Sequence, residues 1–142
     1  MNQLDVYYLL FKRVGFLNRI APKAIPLKYI HHPELICLNC ILSYNYACKN
    51  KKPFPLGESE IAKSAHFSFL YARDILKGRF ELAEPAIAKY AQYSYMYAIE
   101  ILKKPFPLGE PAIANNVLFR NQYIYHVLKK DFYVDGVLIS TY

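Results

Sequence analysis

The chain has 142 residues, 54% of them hydrophobic and 20% charged, with a formal net charge of +7. That is enough apolar content for a packed core, which argues against a disordered chain, and the positive balance argues against a protein that imitates nucleic acid by its own negative charge. Fourteen Tyr, nine Phe and no Trp point to faces covered by large rings with polar tips.

From the N-terminus, LDVYYLLFKRV reads as an amphipathic helix and APKAIPLKYI as an irregular connector broken by two prolines. Together residues 1–32 are expected to form an N-terminal cap. The early apolar run VYYLLF is far shorter than the roughly 20 residues of a membrane span. The acidic start MNQLD is unlike a secretory leader, and three cysteines, an odd number, are unlike a secreted disulfide framework. These features lead to the expectation of a cytoplasmic protein with no membrane partner.

The octamer KKPFPLGE occurs at 51–58 and again at 103–110. It belongs to a shorter period of 26 residues. Residues 59–84 and 85–110 match without gaps, 111–136 is a more divergent copy, and 33–58 fits only with a shift of one residue near its middle. Each copy reads the same way. Glu84 and Glu110 precede Pro85 and Pro111, an acid and a proline placed as at a helix start. A short helix is predicted over 85–89 and a longer one over 91–103, with Tyr93, Tyr97, Ala98, Ile101 and Leu102 at helical spacing. The earlier equivalents are Phe67, Tyr71, Ala72, Ile75 and Leu76. Gly78 is the expected left-handed cap, and Pro105 stops the next helix. Two apolar plugs then follow in each linker: Phe80, Phe106 or Phe132, and Leu82, Leu108 or Val134. One such unit cannot bury its own apolar face, whereas stacked units can. The predicted fold is therefore all-α: a right-handed α-solenoid of about four helix-pair repeats (33–58, 59–84, 85–110, 111–136), closed by a tail at 137–142.

The units YARDILKGRFELAEPAIAK and YAIEILKKPFPLGEPAIAN resemble tandem Tyr-rich repeats found in proteins of large tailed phages and related viruses. The resemblance covers about residues 33–136. In length and helix layout the unit is also similar to leucine-rich-variant and HEAT-like repeats. The resemblance implies a viral accessory protein acting on host machinery, and it carries no catalytic residues to transfer.

Four constellations bear on chemistry. His31 or His32, Cys37, Cys40 and Cys48 offer the donor types of a tetrahedral zinc site, but Cys37 and Cys40 fall where helix is predicted and read more simply as core thiols. No cofactor is implied. Lys51, Lys52, Lys77, Arg79, Lys103, Lys104, Lys129 and Lys130 recur at one repeat position; they complement helix C-termini and also form a basic edge suited to phosphates. Asp74, Glu100 and His126 form a further ladder, in which Glu100 and His126 are placed to pair. No nucleophile motif or Gly-rich phosphate loop accompanies them, so a solvated ridge is expected and not an enzyme. Finally, a tyrosine row (Tyr71, Tyr97, Tyr123, with Tyr95 and Tyr125 nearby) is expected to pack mostly between helices. In the last copy Arg120, Asn121 and Gln122 replace Ser-Phe-Leu and Ser-Tyr-Met, marking a cap or a contact face. Tyr95, Tyr97, Arg120, Tyr123 and Tyr125 are the candidate partner contacts. The functional expectation is a non-enzymatic scaffold that binds a host protein and blocks or redirects it, with nucleic acid on the lysine edge as the alternative.

Overall fold

The computed structural model describes residues 36–142, and the predicted cap at 1–32, with His31, lies outside the described residues. The described chain is mostly helical and falls into two compact units that divide between Ile61 and Ala62.

In the first unit, α1 (Cys40–Asn50) starts at Asn39, whose side chain accepts from the Ile41 and Leu42 amides at 2.9 and 3.1 Å. Such a cap satisfies donors that have no partner inside the helix. The helix ends at Lys51 in the left-handed conformation, with the Lys52 amide donating back to the Ala47 carbonyl. This is a Schellman-type end built on lysine instead of glycine. The short helix α2 (Pro55–Ile61) packs back on α1. Gly57 permits the approach, since a Cβ there would sit 2.5 Å from the Ser43 hydroxyl oxygen.

The second unit holds three long helices, and each changes character along its length. Helix α3 (Ala65–Tyr71) runs on as a π-turn at Ala72–Leu76. After the short helix α4 (Glu84–Ile87), α5 (Ala91–Met96) runs into a π-turn at Tyr97–Leu102. After α6 (Glu110–Ala114), α7 (Val117–Tyr123) runs into a π-turn at Ile124–Leu128. The turns end at Lys77, Lys103 and Lys129, whose amides donate to Ala72, Ala98 and Ile124, five residues back.

The cause is one extra residue. In α1 the segment from Ala47 to the left-handed Lys51 is a residue shorter than Ala72–Lys77, Ala98–Lys103 or Ile124–Lys129. The shorter copy closes as plain α-helix; the longer ones absorb the insertion as π-turns, the usual way a helix takes in a single residue. The one-residue shift needed to align the first copy is therefore a difference in helix winding.

The helix starts agree with the sequence reading, with Glu84 and Glu110 leading and Pro85 and Pro111 in the first turn. Two expectations are corrected. Gly78 is not the left-handed cap: Lys77 is, at φ 51°, the same repeat position as Lys51, Lys103 and Lys129. Leu82 and Leu108 are not plugs. They lie 59% and 54% exposed on short 3₁₀ turns, while Phe80 and Phe106 alone are driven inward. The described chain is mostly helical and also carries one small two-stranded sheet. Asp135 and Gly136 both have positive φ, which makes a two-residue turn joining β1 (Phe132–Val134) to β2 (Val137–Ser140) in an antiparallel hairpin. The last linker reads FYVDG where the two before it carry Leu-Ala-Glu-Pro and Leu-Gly-Glu-Pro, so it lacks the acid–proline start of another helix.

Four lysines in the left-handed region are a small standing cost, since a Cβ crowds the following carbonyl there. Lys77→Gly is expected to raise stability by about 0.5–1 kcal/mol, read from the urea midpoint.

Candidate functional site

The tyrosine row is the place to begin, because it decides which side chains are free to meet a partner. Tyr71, Tyr97 and Tyr123 stand at the junctions of α-helix and π-turn and are completely buried. Each ring packs on the Phe of its own copy, with centroids 5.2 Å apart for Tyr71–Phe80, 5.3 Å for Tyr97–Phe106 and 5.6 Å for Tyr123–Phe132. Tyr46 and Phe54 repeat the contact within the first unit at 4.6 Å, a fourth member that the sequence reading missed. A strict 26-residue comparison puts Tyr46 out of step by the residue that its helix lacks.

The hydroxyls reach back one copy. Tyr97 Oη accepts from the Phe80 amide at 2.8 Å and donates to Glu84 Oε1 at 3.2 Å. Tyr123 Oη accepts from the Phe106 amide at 2.8 Å and donates to Glu110 Oε1 at 2.8 Å. Glu84 is buried and also takes both arms of the Arg79 guanidinium at 2.6 and 2.9 Å. Arg79, first, and the Tyr97 hydroxyl hold its carboxyl below the usual carboxylate range, against the opposing effect of burial. Burial pushes the Tyr97 phenol up to about 12, and the neighbouring Glu84 charge acts in the same direction. Burial raises Tyr123 likewise. The sequence signal for these glutamates was present, since Glu and Tyr stand 13 residues apart in both copies, but it was read only as a helix start.

Tyr97 and Tyr123 are therefore corrected from contact residues to interior ones. Of the other candidates, Tyr95 is half-buried against Phe119 and His126, and burial raises its phenol pKa. Arg120 occupies the place of Ser68 and Ser94. Its Nη1 donates to the Ala114 carbonyl at 3.3 Å, and its Nε is buried with no hydrogen-bond partner. Ser94 instead donates to the Ile87 carbonyl at 3.1 Å and faces Gly109 so closely that a Cβ there would meet its hydroxyl at 2.5 Å. In the last copy both members of that tight pair change, to Arg120 and Asp135. Tyr125 is 65% exposed and stands edge-on to His126, centroids 5.0 Å apart.

The basic residues Lys51, Lys52, Lys77, Lys103, Lys104, Lys129 and Lys130 are all exposed. Arg79 is exposed too, but its charge is engaged by Glu84 and Glu81. Lys103 and Lys104, with Ala98, Ile99, His126 and Val127, line a cavity of about 200 Å³. A second, of about 250 Å³, is lined by Asn121, Ile124, Tyr125, Thr141 and Tyr142.

The acid–base ladder does not assemble. Asp74 is paired with Arg73 at 2.7 Å, and among the described residues Glu100 and His126 form no ion pair. Cys37, Cys40 and Cys48 are half-buried, and among the described residues no group of three His, Cys, Asp or Glu side chains is placed to hold a metal ion. No helix among the described residues is long and apolar enough to cross a membrane. No protein-family model, curated protein or solved structure matches the chain.

Removing the Tyr123 hydroxyl leaves the buried Phe106 amide and the Glu110 carboxylate without their partner. Tyr123→Phe is expected to lower the unfolding free energy by about 1–3 kcal/mol in urea denaturation. The raised phenols also set an alkaline limit. Below the ordinary tyrosine value of 10.0 both states hold the proton; above it only the folded state does, so stability falls from there up to about 12. A urea midpoint that is flat across that window contradicts the burial of these hydroxyls.

Proposed function

We propose that the protein is a non-enzymatic binding scaffold: a right-handed α-solenoid of helix-pair repeats that docks on another protein and acts by steric occlusion. The observation that carries this reading is Leu82 and Leu108, equivalent positions in successive copies that the fold leaves in water while it buries the Phe two residues earlier. Exposed apolar side chains are common singly; a pair at the same repeat position on rigid linker turns is the kind of feature a partner uses. Tyr125, with Tyr95 and Arg120 beside the last copy, supplies the ring and guanidinium types that anchor interfaces. A preformed surface loses little freedom on association, so a modest interface suffices. The exposed lysines serve as steering charges.

The likeness of the repeat unit to viral Tyr-rich repeats supports a viral accessory protein working in a host cytoplasm, its partner a host protein such as a defence component. The second reading is nucleic acid bound along the lysine edge, favoured by the exposure of Lys103, Lys104, Lys129 and Lys130.

Affinity capture from host lysate after nuclease treatment separates the two. A stoichiometric protein is expected, retained at moderate salt and lost at least about tenfold in affinity in a Leu82→Ser/Leu108→Ser variant whose melting is unchanged. Recovery of nucleic acid alone, with binding that collapses as salt rises, contradicts the protein reading.

A further inference from the structure

We propose a second site, independent of the protein-docking face: the cavity lined by Lys103, Lys104 and His126 binds a phosphate-bearing small ligand. The cavity of about 200 Å³ is lined by Lys103, Lys104 and His126 together with Ala98, Ile99 and Val127, so two basic side chains and an imidazole border one concave spot. Among the described residues, neither lysine nor His126 is engaged in an ion pair. The lysine backbones are fixed, since the Lys103 and Lys104 amides both donate to the Ala98 carbonyl and Lys103 is held at φ 52°. Side chains that start from anchored Cα atoms lose less freedom when they close on an anion.

Nearby negative charge does not fill this role. Glu84 feels Lys104 electrostatically, but its carboxylate is already taken by Arg79 and the Tyr97 hydroxyl. Glu100, on the same π-turn as Ala98 and Ile99, is exposed and forms no ion pair among the described residues. Two lysines match the double negative charge of a phosphomonoester at neutral pH, and the imidazole adds a ring nitrogen for a third contact.

The repeat supplies an internal comparison. One copy earlier, the positions of Lys103, Lys104 and His126 are held by Lys77, Gly78 and Glu100. Two of the three positions have changed, and both changes add positive charge or remove negative charge. The scaffold does not require this, because the earlier copy closes the same π-turn onto the same left-handed lysine without it.

The test is an amide-shift titration of the full chain with inorganic phosphate, then with a nucleoside monophosphate and the matching nucleoside. Saturable shifts in the millimolar range are expected at Ala98, Lys103, Lys104 and Val127. Lys104→Gly/His126→Glu, which installs the residues of the preceding copy, is expected to weaken binding at least about tenfold while melting as the parent does. Lys104→Gln alone, which leaves His126 in place, is a second and milder variant should the double one melt early. A monophosphate tighter than bare phosphate identifies the ligand as an organic phosphate; equal affinities identify the free anion; both support the site. No saturable shift in the parent, equal binding by the variants, or equal binding by the nucleoside without phosphate overturns it.

Discussion

One hydroxyl per copy ties the second unit together. Tyr97 and Tyr123 sit where an α-helix passes into a π-turn, place their rings on the Phe of their own copy, and reach back to the amide of the preceding Phe and the Glu that opens the next helix. A buried amide and a buried or half-buried carboxylate must each find a partner, and a tyrosine is long enough and polar at the right end to serve both. From this follow the burial of Phe80 and Phe106, the position of the Glu-Pro helix start, and the need for the chain to reverse sharply at Lys77 and Lys103. Because every link runs between copies, a single copy would leave its linker amide and its carboxylate without the donor and acceptor they use here.

Much of this was legible in the sequence, for reasons that can be given residue by residue. The 26-residue period, the acid–proline starts and the inward Phe all rest on chemistry local to a few residues, and local chemistry survives being read without coordinates. The left-handed lysines did not show, because glycine is the residue that conformation normally selects and Gly78 stood one position away. The π-turns did not show either, since an added residue in a helix leaves the apolar spacing nearly intact; the only trace was the one-residue shift in the first copy, which α1 and its plain helical ending now explain. Phe and Leu in the linker looked alike as apolar plugs. Only the fold distinguishes the ring that meets a tyrosine from the leucine two residues on, which the 3₁₀ turn carries to the outside. The hairpin is marked by Asp-Gly, a strong turn signal that stands at the end of the last copy.

The candidate site changed most. Large tyrosines looked like contact residues by type, but the fold spends Tyr97 and Tyr123 on its own interior and leaves Tyr125, Leu82 and Leu108 outside. The basic edge divides as well. Arg79 pairs with Glu84, whereas Lys103 and Lys104 line the cavity beside His126. The repeated sequence makes such distinctions readable, because a position that differs from its equivalents in the other copies is one the shared local fold does not dictate. Arg120, Lys104 and His126 are positions of that kind.

The link between copies is tested most directly by native-state hydrogen exchange at the Phe80 and Phe106 amides. If tyrosine hydroxyls from the next copy hold them, both are protected to nearly the level of global unfolding, and Tyr123→Phe releases Phe106 far more than Phe80. Fast exchange at both amides in the parent protein, or equal protection with and without the Tyr123 hydroxyl, would show that the copies are joined by something else.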